Sequence, residues 1–98
     1  MGAHIDLVGV DDNIKTDLSM SYSRWGRVYD YMRKNNISGY DIDLFPEDQY
    51  YDRKITYTRE ELEQLVKIAK KEKFDDILNI AFALSASKSK TFILTDFG

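Results

Sequence analysis

Carboxylates crowd one stretch of this chain. Between Tyr40 and Asp52 the sequence reads YDIDLFPEDQYYD, with five acids, three tyrosines and no Lys or Arg. Oxygen ligands at Asp41, Asp43, Glu47 and Asp48 would suit Mg²⁺ or Ca²⁺. The spacing argues against it, because no Gly stands at the turn and no Glu closes a calcium loop. Pro46 also keeps the loop from folding tightly around an ion. A solvated acidic loop is the plain reading. A contact surface is the sharper one, since Tyr50 and Tyr51 are consecutive and in extended chain one must face out. Tyrosine gives large amphipathic area and is enriched at interfaces. The expectation is that Asp41, Asp43, Glu47, Asp48, Tyr50 and Tyr51 engage a protein partner, with no metal and no cofactor.

Other groups offer less. His4, the only histidine, stands two residues before Asp6, where a carboxylate could orient a general base. No Cys is present to act as a nucleophile, and no Ser stands in a G-x-S-x-G elbow. A structural or solvent-exposed histidine is the reading favoured. Ser23, Arg24 and Arg27 open a helical stretch, and helix starts favour anions. Arginines add bidentate contacts to phosphate. They make sequestration of a nucleotide or phosphate ligand the alternative function. The closing Asp96-Phe97-Gly98 spells a kinase tripeptide with nothing else of that family around it.

The elements that must hold these residues can be read from periodicity. Ala3 to Val8 alternates as a half-buried strand, with Ala3, Ile5 and Leu7 facing the core. Lys15 to Met20 is a second short strand. From Ser21 or Ser23 the period changes, and Trp25, Val28, Tyr29 and Met32 form one helical stripe, stopped by Asn35, Asn36 and Gly39. Pro46 confines any strand in the acidic segment to an edge, so the segment reads mainly as loop, followed by a brief extended piece over Lys54–Tyr57. Within it, Phe45 and Tyr57 are expected to pack inward. Thr58-Arg59-Glu60-Glu61 matches a capping box, and Leu62, Leu65, Val66 and Ala69 give its helix a buried stripe. A third helix runs from Asp76 to Ala86 with Ile77, Leu78, Ala81 and Phe82 on one face and Ile80 and Leu84 extending the apolar coverage, which makes it the most buried of the three. Lys90 to Phe97 reads as a strand covered on both faces. The fold class is α+β: one small two-layer domain, residues 1–98, with a short sheet containing the N- and C-terminal strands and about three helices.

Ninety-eight residues support one modest core. The net charge of −3 argues against nonspecific nucleic-acid binding, although charge alternates along the chain. Residues 21–36 and 53–74 each carry +3, and residues 40–52 carry −5. No apolar run approaches a membrane span, no signal peptide opens the chain, and the absence of Cys fits the cytoplasm. Asp6 stands where a myristoylation motif wants Ser or Thr.

MGAHIDL at the start, YSRW, YTREELEQL and the closing KTFILTDFG together resemble a loose pattern in small phage and prophage proteins. The resemblance implies a mobile-element origin and a role against a host factor, and it assigns no functional residue. The sequence leaves catalysis undecided but favours a noncatalytic binding module, such as an inhibitor or adaptor. A homodimer is left open.

Overall fold

The computed structural model describes residues 2–41 and 53–97. Among the described residues, seven strands and three helices follow in the order β1 (Gly2–Ala3), β2 (Ile5–Gly9), β3 (Lys15–Asp17), β4 (Met20–Ser21), α1 (Tyr22–Lys34), β5 (Tyr40–Asp41), β6 (Arg53–Thr58), α2 (Arg59–Glu72), α3 (Leu78–Ala86) and β7 (Thr91–Asp96). A 3-10 turn over Asp75–Ile77 leads into α3. The fold is α+β, as expected. Five strands form an antiparallel sheet in the order β3-β2-β7-β6-β5, and β1 pairs with β4 beside it.

The terminal strands are neighbours. Ile5 lies opposite Asp96, and Leu7 opposite Leu94. On the far side of β7, Leu94 faces Ile55 and Phe92 faces Tyr57. Because strand side chains alternate, Ile5, Leu7, Phe92, Leu94, Ile55 and Tyr57 share one face, and all are buried. The helices cover that face with Trp25, Val28 and Met32 from α1, Leu62, Leu65 and Ala69 from α2, and Ile77, Ile80, Ala83 and Leu84 around α3.

Helix starts follow their caps. Ser21, rather than Ser23, caps α1, its hydroxyl accepting the Arg24 N–H at 3.2 Å. Thr58 and Glu61 form the reciprocal capping box at the start of α2, at 3.1 and 3.0 Å. Gly26 within α1 faces open space, so it accommodates no neighbouring backbone. Its lost helix propensity, about 1 kcal/mol relative to Ala, has no packing gain to set against it.

Three expectations need correction. Lys54–Tyr57 is extended as expected, but it belongs to the longer six-residue β6, held between β7 and β5; the charged residues that obscure it, Arg53 and Lys54, stand at its entrance. β7 is not sealed on both faces, because Ile93 is only half-buried. Most consequentially, α3 is turned away from its expected inner face. Ile77 is buried as predicted, but Leu78 and Phe82 are 63% and 66% exposed. The sequence LNIAFAL is apolar all round, so periodicity could not choose a face, and the stripe Ile77, Ile80, Leu84 has helical spacing too.

Candidate functional site

The expected contact residues Asp43, Glu47, Asp48, Tyr50 and Tyr51 lie outside the described residues, as does Phe45. Asp41 closes the two-residue edge strand β5, paired with Ile55. Tyr40 beside it is 74% exposed, and Tyr57 is buried as expected.

The anion-binding reading brings Arg24 and Arg27 together, but on a carboxylate. Arg24 Nε lies 2.9 Å from Asp76 Oδ1, and Arg27 Nε lies 3.4 Å from Asp76 Oδ2. Ser23 Oγ is 3.4 Å from Ser21 Oγ, the cap itself. Asp76 thus ties α1 to the turn before α3, and an incoming phosphate would have to compete with it.

At the sheet edge, His4 Nδ1 lies 3.4 Å from Ser19 Oγ, with the ring tilted against Phe97 at 5.4 Å. Asp6 turns elsewhere and pairs with Lys15 at 3.2 Å. Ser19 instead joins Asp17, whose pKa is lowered chiefly by the Ser19 hydroxyl and N–H, with His4 and Lys15 adding attraction. In an acyl-transfer triad the imidazole stands between serine and carboxylate. Here the serine stands between the other two and also accepts the Ile5 N–H at 3.2 Å. The arrangement fixes the turn between β3 and β4.

A denser polar node joins the β2–β3 turn to the α3–β7 connection. Asp12 accepts the hydroxyls of Ser87 and Ser89 at 2.9 Å, the Lys88 N–H at 2.9 Å and the Ile14 N–H at 3.2 Å. Asp11 accepts the Lys90 N–H at 2.9 Å. Ser89 Oγ receives the N–H groups of Asp11 and Asp12 in return. Desolvation resists the charge on Asp12, but these four donors outweigh it and hold its pKa down at about 2. Arg59 closes the node from α2, donating to the carbonyls of Leu84, Ser87 and Ser89 at 2.6, 2.7 and 3.1 Å. It thereby caps the C-terminus of α3, where a cation is favourable.

Outside this node runs the feature that sequence reasoning missed. A groove of about 660 Å³ follows the seam between α2 and α3, lined by Val66, Lys67, Lys70, Ala81, Leu84 and Lys88 among others. Val66, Lys70 and Ala81 also line a hollow of about 320 Å³ toward Lys73, Phe74 and Leu78, so the two are continuous. Leu78 and Phe82, one helical turn apart on α3, stand in solvent. Lys67, Lys70, Lys73 and Lys88 are exposed and form no ion pair among the described residues. The seam therefore combines an apolar floor, the exposed Leu78 at one end and a rim of four lysines alongside Glu63 and Asp75. The signal was present in α3, whose run of apolar residues exceeds what one helix can bury in so small a core. The lysines read instead as a solvated helix end.

Among the described residues no group of three or more His, Asp or Glu side chains is placed to hold a metal ion, and no helix is long and apolar enough to cross a membrane. No family model matches the chain, and searches of curated proteins and of solved structures found no match either.

Proposed function

We propose that this chain is a noncatalytic, cytoplasmic protein-binding domain, acting as an adaptor or inhibitor, whose contact surface is the α2–α3 seam. One observation carries this reading. Leu78 and Phe82 are large, one helical turn apart and solvent-facing, and Leu78 lines a hollow continuous with a groove whose rim carries Lys67, Lys70, Lys73 and Lys88 alongside Glu63 and Asp75. Contiguous apolar surface with a polar rim is the usual character of a protein contact site. The acidic segment 40–52 supplies a second contact surface of opposite sign. The resemblance to phage proteins adds a host factor to the partners worth testing.

The test is affinity capture from bacterial lysate containing an untagged copy of the chain, with retained proteins identified by mass spectrometry. The wild type should retain one protein, its own copy or a foreign one, and the Leu78→Ser/Phe82→Ser variant should lose it with an unchanged circular dichroism spectrum. Equal retention by both, or none by either, overturns the reading. A retained nucleotide would instead favour the alternative at Ser23, Arg24 and Arg27.

A further inference from the structure

We infer that the outer face of α3 packs on the same face of a second copy of this chain, antiparallel, about a two-fold axis at Phe82. The inference rests on the reading of Leu78 and Phe82 as protein contacts and names their partner.

The three helices differ in what they show to solvent. The exposed residues of α1 include Arg27, Asp30, Arg33 and Lys34, and those of α2 include Glu60, Glu63, Lys67 and Lys71. The exposed residues of α3 are Leu78, Phe82, Ser85 and Ala86, and no charged residue occurs between Ile77 and Ser87. A helix face left to water normally carries charged and polar residues. An uncharged face holding two large apolar side chains is the kind that a protein contact covers.

Its residues are arranged to fit their own copy. Leu78 and Phe82 occupy the first half of the helix, and the small Ser85 and Ala86 stand at its end. Two antiparallel copies with Phe82 on the axis set Leu78 over Ala86 of the second copy, Asn79 beside Ser85, and Phe82 against Phe82. Large side chains then lie over small ones, an amide meets a hydroxyl, and two rings form an aromatic pair. Each contact between unlike residues occurs twice, and the face is used up within the dimer, so nothing remains to propagate.

Charge sets the direction. Asp75 stands exposed just before α3 and Lys88 just after it, each bordering a hollow shared with α2. A parallel pair would place Asp75 against Asp75 and Lys88 against Lys88, with the helix dipoles aligned. The antiparallel pair opposes the dipoles and brings Lys88 of the second copy toward Asp75. Lys73 borders the same hollow as Asp75, so these exposed charges select orientation and add little affinity. The nine residues of α3 span only about 13 Å, too short to bury the roughly 800 Å² per partner of a standard interface. The dimer is therefore weak and fills at high concentration.

Phe82 on the axis makes the test direct. Sedimentation of the wild type up to about 1 mM should show a species of twice the 11.5 kDa chain. Phe82→Glu and Phe82→Lys should each be monomeric, because like charges meet at the axis. Their equimolar mixture should associate again, because unlike charges then meet there. The register has its own check. Leu78→Ala should weaken the dimer about tenfold, and Leu78→Ala/Ala86→Leu should recover it, since a large side chain again lies over a small one. Circular dichroism establishes that the variants are folded, and recovery in the mixture cannot come from unfolded chains.

A wild type that stays monomeric up to that concentration overturns the inference. A dimer that persists in Phe82→Glu and Phe82→Lys alone, a mixture that stays monomeric, or a Leu78→Ala/Ala86→Leu variant no better than Leu78→Ala overturns it equally. If the wild type is monomeric yet retains a foreign protein that Leu78→Ser/Phe82→Ser releases, the self-pairing falls while the reading of this surface as a protein contact stands.

Discussion

Two polar regions lie side by side at the ends of α2 and α3, and they treat charge in opposite ways. At the Asp12 node every ionic group is answered. One carboxylate takes four donors from four residues in two separate stretches of the chain, and Arg59 spends its guanidinium on three carbonyls. Along the seam, four lysines form no ion pair among the described residues, and Leu78, with Phe82 one turn further along α3, stands in solvent. A satisfied network rigidifies a fold, whereas solvated charge beside exposed apolar surface adds nothing to the isolated domain. The difference separates groups that hold the molecule together from groups that remain available to something else. Substitutions in the first region should therefore damage stability, and those in the second should damage binding alone.

The largest stability loss is expected from Gly9→Ala. A Cβ at Gly9 would lie 2.7 Å from Asp12 Oδ1 and 2.5 Å from Ser89 Oγ, and closer still to Ser87 Oγ. Those three atoms are fixed by their mutual hydrogen bonds and cannot retreat separately. Overpacking of this kind costs about 1–3 kcal/mol, and the upper end is expected here. Urea unfolding would read it as a lowered midpoint with an unchanged slope. A midpoint equal to that of the wild type would mean that the node is looser than its geometry.

Next comes Arg59→Met, which keeps most of the aliphatic stem and removes the donors. Three carbonyls at the end of α3 lose a charged partner, a cost of about 2 kcal/mol. Since Arg59 also lines the groove, this variant sharpens the comparison. Its guanidinium is already committed, so its loss should lower the melting temperature without abolishing seam-dependent association. Lost association in a folded Arg59→Met protein would place Arg59 among the available groups instead.

Asp12→Asn is a milder change, because the amide retains one carbonyl acceptor, and it reads through pH. Asp12 has a pKa of about 2 in the folded chain against 3.8 as a free side chain. A depressed carboxylate contributes stability that is complete above its unfolded pKa and lost as pH falls through its folded one. The Asp12 contribution should thus disappear between about pH 4 and pH 2. In Asp12→Asn that part of the acid limb should flatten, leaving a shallower slope from Asp17, whose pKa is also lowered. An unaltered acid limb would show that Asp12 is not the group being titrated.

These regions were unequally legible in the sequence. The capping box at Thr58 and Glu61, the stripe of α1 and the alternation of β2 depend on neighbours within one turn or one pleat, and spacing alone reveals them. The Asp12 node depends on residues about 75 positions away in sequence, and nothing local marks Ser87 or Ser89 as partners for a turn before β3. The seam was obscured differently. Its lysines resemble any helix end, and α3 carries apolar residues on every side, so which face it buries follows from how α2 and the sheet leave room for it. The acidic segment was plain in composition, but composition does not say what answers it.

The smallest stability effect is expected where the binding effect is greatest. Leu78 and Phe82 keep 63% and 66% of their surface in solvent, so replacing both with Ser removes little buried area. Serine lowers helix propensity by a few tenths of a kcal/mol per residue, and surface changes of this type usually stay within about 0.5 kcal/mol each. Chemical unfolding should therefore differ from the wild type by about 1 kcal/mol at most. A loss of 3 kcal/mol or more, the scale set by emptying a core position such as the buried Ile80, would mean that the two side chains already have a covering within the fold. The contrast between a structural node and an available seam would then fail at its second half, because apolar groups that stabilise the isolated domain are not free to meet a partner.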